Sequence, residues 1–167
     1  MGAPIVIDQA LAANAGSDDI IIPMYATGTG SAKDVVCQDL TASVVTDYNY
    51  EAVKQLPHTE AANDEAHVVG VALEAWTEAG WIQVQVQGIV HGVACASGVA
   101  AGDKLIADFD TSNAGRCGAI HDEVPGSDTF TTAAAQLYTN AVQLGVALSA
   151  AASNTCSARL TNPQGLS

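Results

Sequence analysis

Basic residues are scarce in this chain: five Lys and Arg stand against 18 Asp and Glu, and the formal net charge is -13 at pH 7. Nucleic-acid binding needs clustered cations that neutralise phosphates. The chain has no such cluster, so the sequence predicts no nucleic-acid partner. An excess of carboxylates keeps a protein soluble, and a salty environment would screen the repulsion between copies.

Aromatic side chains are also few, with two Phe, four Tyr and two Trp among 167 residues. Hydrophobic residues nevertheless make up 49% of the chain, and most of them are Ala and Val. A chain of this length buries roughly 70% of its unfolded surface. We therefore expect a real core made of thin, closely packed layers, without large aromatic clusters.

Long apolar runs are missing as well. No stretch approaches the ~20 apolar residues of a membrane span, and the start "MGAPIVIDQALAANAG" lacks the basic region of a signal peptide. The sequence predicts a soluble protein with no membrane partner and no cleaved signal. Cys37, Cys95, Cys117 and Cys156 show no CxxC spacing, so reduced thiols are expected.

A period of two appears in "GVALEAW" and "WIQVQVQG", which the connection "TEAG" separates. Alternation of apolar and polar residues is typical of half-buried strands, and a short connection predicts a hairpin. If Trp76 faces Trp81 across the turn, Val71 lies opposite Val86. The apolar residues of both strands then share one face.

The motif Gly-Val-Ala-Leu-x-Ala returns 75 residues later in "GVALSAA". A short loop "ASN" after this copy turns Cys156, Ala158 and Leu160 inward and makes Asn154 a left-handed residue. The two copies are therefore predicted to form equivalent hairpins, with the Val and the Leu of the motif facing the core in both.

The first third of the chain is less regular. "DIIIPMYA" predicts a strand, and "VVCQDLTASVVTDY" predicts one or two more. "NYEAVKQLP" is interpreted as a short helical turn that ends before Pro57, and the later "SDTFTTAAAQLYTN" has helical character. The prediction is an all-β fold, a small β-barrel or β-sandwich over residues 66–167, with residues 1–65 as an extended N-terminal arm and accessory strands.

Several patterns resemble catalytic or binding motifs but fail in detail. In "ATGTGSAKD" Lys33 stands where a dinucleotide fingerprint requires Gly. His91 with Cys95, and Cys117 with His121, mimic a zinc set, but residues four apart in a strand lie about 13 Å apart.

A calcium loop that begins at Asp108 and Asp110 would need Gly and Glu where Asn113 and Ala119 stand. No GxSxG elbow is present in the chain. We predict no metal, no cofactor and no enzymatic activity.

The two tryptophans are the largest side chains that could be exposed. If Trp76 and Trp81 flank the tip of the first hairpin, they could form a ligand platform or a contact with another subunit. The alternative is a cross-strand pair that only steadies the turn. The spacing of the two residues does not separate these possibilities.

The order "VVGVALEAWTEAGWIQVQVQG", "GVAAGDKLIADFD" and "LGVALSAAASNTCSARLTN" resembles a family of tailed-phage head proteins that decorate or cement capsids. In that family a G-V-A hairpin leads into an alternating strand, an "aaGD" turn precedes the next strand, and a second G-V-A hairpin closes the chain. The matching span runs from Val68 to Asn162. Residues 1–65 and the segment 116–140 lie outside the pattern.

The resemblance implies a β-tulip-like barrel or sandwich, often a homotrimer, that is made in the host cytoplasm and sits on the outer capsid surface of the virion. Its partner would be the major capsid protein, and the apolar N-terminal segments could add strands to a neighbouring chain. The residues predicted to form these contacts are Ile5, Val6, Ile7, Ile20, Ile21, Ile22, Trp76 and Trp81. The alternative is a head-fibre base or a module that binds host-surface glycans through the tryptophans.

Overall fold

A computed structural model describes residues 18–39, 52–57, 68–107, 114–120 and 143–161. Over these residues the chain forms nine β-strands and no helix, which confirms the predicted all-β class. The strands are β1 Ile20–Ala26, β2 Val35–Gln38, β3 Ala52–Gln55, β4 Val68–Ala72, β5 Gly80–Ala94, β6 Lys104–Ala107, β7 Cys117–Ile120, β8 Gly145–Ala147 and β9 Thr155–Thr161.

Five of the strands close a barrel. Their order is β1-β3-β2-β4-β5, and β5 pairs back onto β1 along the whole length of β1. The β1–β3 pairing is parallel, whereas the other pairings in the ring are antiparallel. Inside this first barrel the core consists of Met24, Ala26, Val36, Val53, Val69, Ala72, Trp76, Ile82, Val84 and Val86.

The other four strands lie outside that ring and extend the sheet from β5 in the order β9-β8-β6-β7. They curve back to β5, because Cys117 of β7 forms a parallel bridge with Cys95 and accepts a backbone hydrogen bond from Ala96 N (2.9 Å). We call the second half of β5 together with β6 to β9 the second unit. Its core also covers the outer face of β2 and β4, where Val35, Cys37, Val68 and Val71 are buried.

The second unit repeats the pairing of the first barrel residue by residue. The second half of β5 takes the place of β1, and β6, β7, β8 and β9 take the places of β2, β3, β4 and the first half of β5. Four pairs of the first barrel have direct counterparts in the second unit. Met24–Ile82 corresponds to Val93–Cys156, Val36–Gly70 to Leu105–Gly145, Gln38–Val53 to Ala107–Cys117, and Ala72–Val84 to Ala147–Ala158. The described strands therefore form two structural repeats that share β5.

The repeat explains why Gly-Val-Ala-Leu-x-Ala occurs twice. Gly70 and Gly145 hold equivalent positions, and a Cβ on either would overlap the backbone carbonyl of the next strand, at Gln85 and Arg159 respectively. The alanine of each copy also bonds to the turn that precedes the neighbouring strand. Ala72 N donates to Asp34 O (2.9 Å) before β2, and Ala147 N donates to Asp103 O (2.8 Å) before β6. Both copies are first strands of antiparallel hairpins, as predicted.

One prediction about the N-terminal third is corrected. Residues 52–55 form strand β3, not a helical turn, because Ala52 and Val53 pair with β1 and are buried. Strands β1 to β3, which lie in the segment predicted to hold an arm and accessory strands, complete the ring with β4 and β5. Residues 1–17 and the segment "SDTFTTAAAQLYTN" lie outside the described residues.

The register of the first hairpin differs by one residue from the prediction. Val71 pairs with Gln85, not with Val86, and Ala72 pairs with Val84. All five residues of β4 are buried, so its sequence carries no alternation that could set the register. Gln85 is only 5% exposed, and its amide Nε2 donates to Gln87 O (3.1 Å) and Ile89 O (3.3 Å).

The second hairpin follows the prediction more closely. Cys156, Ala158 and Leu160 face inward, and Asn154 has a left-handed φ of 60°. Ser153 is left-handed too, at 52°, so the turn has the two positive φ angles of a type I′ hairpin. The expectation that Val and Leu face the core in both copies is wrong here, because Val146 is half-buried and Leu148 is 45% exposed.

Candidate functional site

The outer face of β1 and β5 carries the most exposed aromatic group in the described part of the chain. Tyr25 and Trp81 pair directly across the two strands, and their rings make an edge-to-face contact with centroids 5.8 Å apart and an interplanar angle of 82°. Trp81 is 51% exposed. The contact helps to orient the indole, while half of the residue's surface stays open to solvent.

Uncharged side chains continue this surface along the two strands. Because Met24, Ala26, Ile82 and Val84 point into the barrel, the alternating positions point outward. The outward positions next to the aromatic pair are Pro23 and Gln83, which pair with each other, followed by Ile21. We call Ile21, Pro23, Tyr25, Trp81 and Gln83 the aromatic patch.

The second unit has no aromatic counterpart of this pair. Ala94 and Thr155 pair at the positions equivalent to Tyr25 and Trp81. The second unit therefore forms the same strand pairing without aromatic side chains at these two positions. An exposed tryptophan that folding does not require is typical of a contact surface.

Acidic groups border the patch. Glu74 and Glu78 are exposed in the connection between β4 and β5, and Glu74 Oε1 accepts a hydrogen bond from Gln83 N (2.9 Å). With a formal charge of -13 on the whole chain, the uncharged patch is the part of this face that a second acidic surface could approach at least electrostatic cost.

Trp76 does not belong to the patch. Its side chain is 5% exposed and caps the core of the first barrel, with Nε1 donating to Thr27 O (3.2 Å). The predicted pairing of Trp76 with Trp81 is therefore wrong, and Trp76 is not accessible to a partner. The reason is a contact with Gly30, which forms an antiparallel bridge with Trp76 and leaves room for the indole.

The predicted contact residues of β1 have divided roles. Ile20 and Ile22 pack partly against the barrel core, while Ile21 points outward into the patch. One edge of β1 pairs with β5 along its length, and Tyr25 and Ala26 also pair with β3. Ile5, Val6 and Ile7 lie outside the described residues.

Of the four residues that mimicked a zinc set, the structure brings Cys95 and Cys117 together in a parallel bridge. His91 is exposed, and its Nδ1 lies 2.9 Å from Ser157 Oγ, whereas Cys95 is fully buried. No group of three or more His, Cys, Asp or Glu in the described ranges has the arrangement of a metal site. Asp108, Asp110 and His121 fall outside those ranges.

A buried carboxylate joins the two units. Asp34 accepts hydrogen bonds at Oδ2 from Ser31 N (2.7 Å) and from Gln55 Nε2 (2.5 Å), and Gly115 packs against it so closely that a Cβ would overlap it. Burial raises the pKa of Asp34, although the two hydrogen bonds and the charge of Arg116 oppose this. These hydrogen bonds give Asp34 a structural role in the turn before β2.

No known family model matches the chain, and no curated protein is similar to it in sequence. Within the described residues no helix is long and apolar enough to span a membrane. The aromatic patch, the acidic charge and the duplicated β-fold are thus the features from which a function can be inferred.

Proposed function

We propose that this chain is a capsid decoration protein, which binds the outer surface of an expanded capsid and stabilises the contacts between coat subunits. The observation that carries the proposal is the aromatic patch, where Trp81 is held in an exposed position that the duplicated fold does not need. The resemblance of residues 68–162 to capsid cement proteins supports the choice of partner, the major capsid protein.

Binding through the patch would use the hydrophobic effect. Burying the exposed half of a Trp removes on the order of 100 Å² from water, which contributes about 2.5 kcal/mol. A ligand that binds only the assembled coat stabilises it by mass action, by about 2.7 kcal/mol at a free concentration of 100 Kd. A modest patch repeated over many sites can therefore strengthen a whole shell.

The acidic charge shapes how such subunits would pack. Copies with a charge of -13 repel one another, so contacts between them are favoured at uncharged surfaces and at higher ionic strength. The resemblance implies a homotrimer, which would place three patches on one assembly. Subunit counting by light scattering at two salt concentrations tests this part of the proposal.

Co-sedimentation with capsids assembled without this chain tests the main proposal. We expect the wild-type protein to pellet with the capsids and the W81T variant, which carries the residue of the second unit, to bind about tenfold or more weaker, as expected for losing at least 1.4 kcal/mol. The L148T variant is the matched control, because Leu148 is 45% exposed on the second unit, away from the patch. Wild-type protein that stays in the supernatant would refute the proposal.

The same surface makes glycan binding the second candidate. An exposed indole that a neighbouring ring holds in place is a platform on which a sugar ring can stack, and Gln83 beside it offers an amide. A glycan array separates the two functions. Binding to defined glycans that W81T abolishes, together with no co-sedimentation of the wild type with capsids, would establish the second function in place of the first.

A further inference from the structure

The border of the aromatic patch carries a carboxylate that the strand pairing does not require. Glu74 follows β4, and its Oε1 accepts a hydrogen bond from Gln83 N at 2.9 Å. At the equivalent place in the second unit, Ser149 Oγ accepts a hydrogen bond from Ser157 N at 3.0 Å. A neutral hydroxyl thus makes the same bond to the backbone, so the negative charge of Glu74 is not needed for the hairpin.

Three positions of this face differ between the two repeats in a common way. The first barrel has two aromatic rings and a carboxylate where the second unit has small or hydroxyl side chains. The corresponding residues are Tyr25 and Ala94, Trp81 and Thr155, and Glu74 and Ser149. An aromatic ring beside a carboxylate attracts a cation, which gains a cation–π contact and an ion pair at one place.

The indole lies between an aromatic ring and a carboxylate. On the β1 side, the Tyr25 ring contacts Trp81 with centroids 5.8 Å apart. On the β4 side, Glu74 is bonded to Gln83, which lies on the same strand face as Trp81, two residues or about 7 Å further along β5. A cation bound within about 6 Å of the indole centroid can therefore also reach the carboxylate of Glu74.

The distribution of charge around the indole favours a basic group from a partner. The formal charge of the chain is -13, and Glu78, in the same connection as Glu74, is exposed. Lys54 lies on β3, two strand spacings or about 10 Å from β5, on the side of Tyr25. A basic group that approaches the β4 side of the indole thus meets carboxylates, and the net charge of the chain steers it there.

We propose that the aromatic patch binds an arginine side chain on the surface of the coat. The guanidinium lies over the indole of Trp81, and its N–H groups donate to the carboxylate of Glu74. A guanidinium is planar and carries several donors, so it can stack on a ring and bond to a carboxylate together, whereas the compact ammonium of lysine does not stack. The proposal rests on the proposed function for the identity of the partner, and it adds the chemical group that the patch recognises.

Nuclear magnetic resonance of the isotope-labelled full chain tests this site without capsids. The chain has two tryptophans, so two indole N–H signals are expected, and the buried Trp76 serves as the internal reference. The probe is N-acetyl-arginine methylamide at millimolar concentrations and constant ionic strength. The same compounds of lysine and of citrulline, an uncharged isostere of arginine, are the comparisons. We expect the Trp81 signal to move with arginine, to respond at least about threefold more weakly to lysine and least to citrulline, while the Trp76 signal stays in place.

Variants test the part played by the carboxylate, and W81T identifies the signal of Trp81. E74Q keeps an acceptor oxygen for Gln83 N but removes the charge, and it should weaken arginine binding about two- to fivefold. D18N is the matched control, because it changes the net charge equally at an exposed residue roughly 20 Å from Tyr25 along the strand direction. Its arginine affinity should equal that of the wild type. If the spectrum of E74Q shows loss of the fold, E74S, which carries the residue of the second unit, replaces it.

The outcomes separate this site from the capsid function. Equal responses of Trp81 to arginine and citrulline would overturn the proposal, because the patch would then recognise an uncharged group, as glycan binding requires. Equal losses in E74Q and D18N would overturn the role of Glu74. Co-sedimentation of the wild type with capsids, without a response of Trp81 to arginine, would refute this site and leave the decoration function in place. A response to arginine that E74Q weakens, without co-sedimentation, would support the site and refute the capsid as its partner.

Discussion

The indole of Trp76 occupies the space that a side chain at residue 30 would fill. A Cβ built on Gly30 would overlap the ring, and Trp76 N donates to Gly30 O at 3.0 Å. In the second unit the equivalent bond runs from Ala151 N to Val99 O at 2.8 Å. The first barrel thus pairs the large Trp76 with Gly30, whereas the second unit pairs the small Ala151 with Val99.

This exchange of sizes predicts a strong coupling between residues 30 and 76. We expect W76A to lower the free energy of unfolding by about 3–5 kcal/mol, because it empties a buried position. G30V alone should cost at least about 3 kcal/mol through overlap with the indole. The double variant G30V/W76A reproduces the Val and Ala pair of the second unit. Its loss of unfolding free energy should be smaller than the sum of the two single losses by about 2 kcal/mol or more.

Urea denaturation of the four proteins gives the coupling free energy directly. The matched control is the cycle of G30V with L148A, since Leu148 lies in the second unit and should not couple to residue 30. Additive effects of G30V and W76A within about 0.5 kcal/mol would contradict the packing described for this end of the barrel.

Lys33 and Gly102 hold equivalent left-handed positions, with φ of 75° and 95°. A non-glycine residue in this region costs about 1–2 kcal/mol, partly offset by the greater chain entropy of Gly in the unfolded state. We expect K33G to raise the free energy of unfolding by about 0.5 kcal/mol and G102A to lower it by about 1 kcal/mol.

G102A measures the cost of the left-handed backbone conformation alone, because nothing lies within 4 Å of a Cβ at residue 102. G80A is the control: its Cβ also meets open space, but Gly80 is not left-handed, so thermal melting should show a change below about 0.5 kcal/mol. Equal effects of G80A and G102A would argue against a conformational cost at the turn.

Asp34 predicts a pH dependence of stability. Because burial raises its pKa in the folded state above 3.8, the folded protein binds its proton more tightly than the unfolded chain does. The stabilisation from this group is fully present below the unfolded pKa and is lost as the pH rises through the folded pKa. The stability of the wild type relative to D34N should therefore fall as the pH rises from about 4.

Urea denaturation of both proteins over a pH series from about 3 to about 7 measures this difference. D103N is the control variant. It replaces the carboxylate that accepts from Ala100 N in the equivalent turn, so its change in unfolding free energy measures the cost of altering that hydrogen bond. A relative stability of wild type over D34N that rises with pH would mean that Asp34 ionises more easily in the folded protein, contrary to its burial.

The glycines of the repeated motif should be more important than its valines. G70A and G145A each place a Cβ against the carbonyl of the neighbouring strand, so we expect each to cost about 2 kcal/mol or more. V146T changes a half-buried position of the same motif and should cost less than about 1 kcal/mol. Melting temperatures of the three variants check the order, and a milder effect of G145A than of V146T would contradict it.

The sequence by itself determined what depends on neighbours along the chain. Alternation in "WIQVQVQG" predicts a strand with Ile82, Val84 and Val86 inside, and Asn154 predicts a left-handed turn, because both signals come from side-chain direction and local backbone sterics. The hairpin nature of both motif copies, and with it the all-β class, follows from the same short-range pattern.

Only the tertiary structure decided which strands close the ring and which tryptophan is buried. β1 reaches both β3 and β5, the shared strand β5 serves two units, and Trp76 is buried because Gly30, far away in the chain, leaves room for it. β4 is buried on both faces, so its sequence could not show which face was inside or fix its register. These features depend on contacts between distant residues, whose free energy is gained only when the barrel closes and which leave no periodic trace in the sequence.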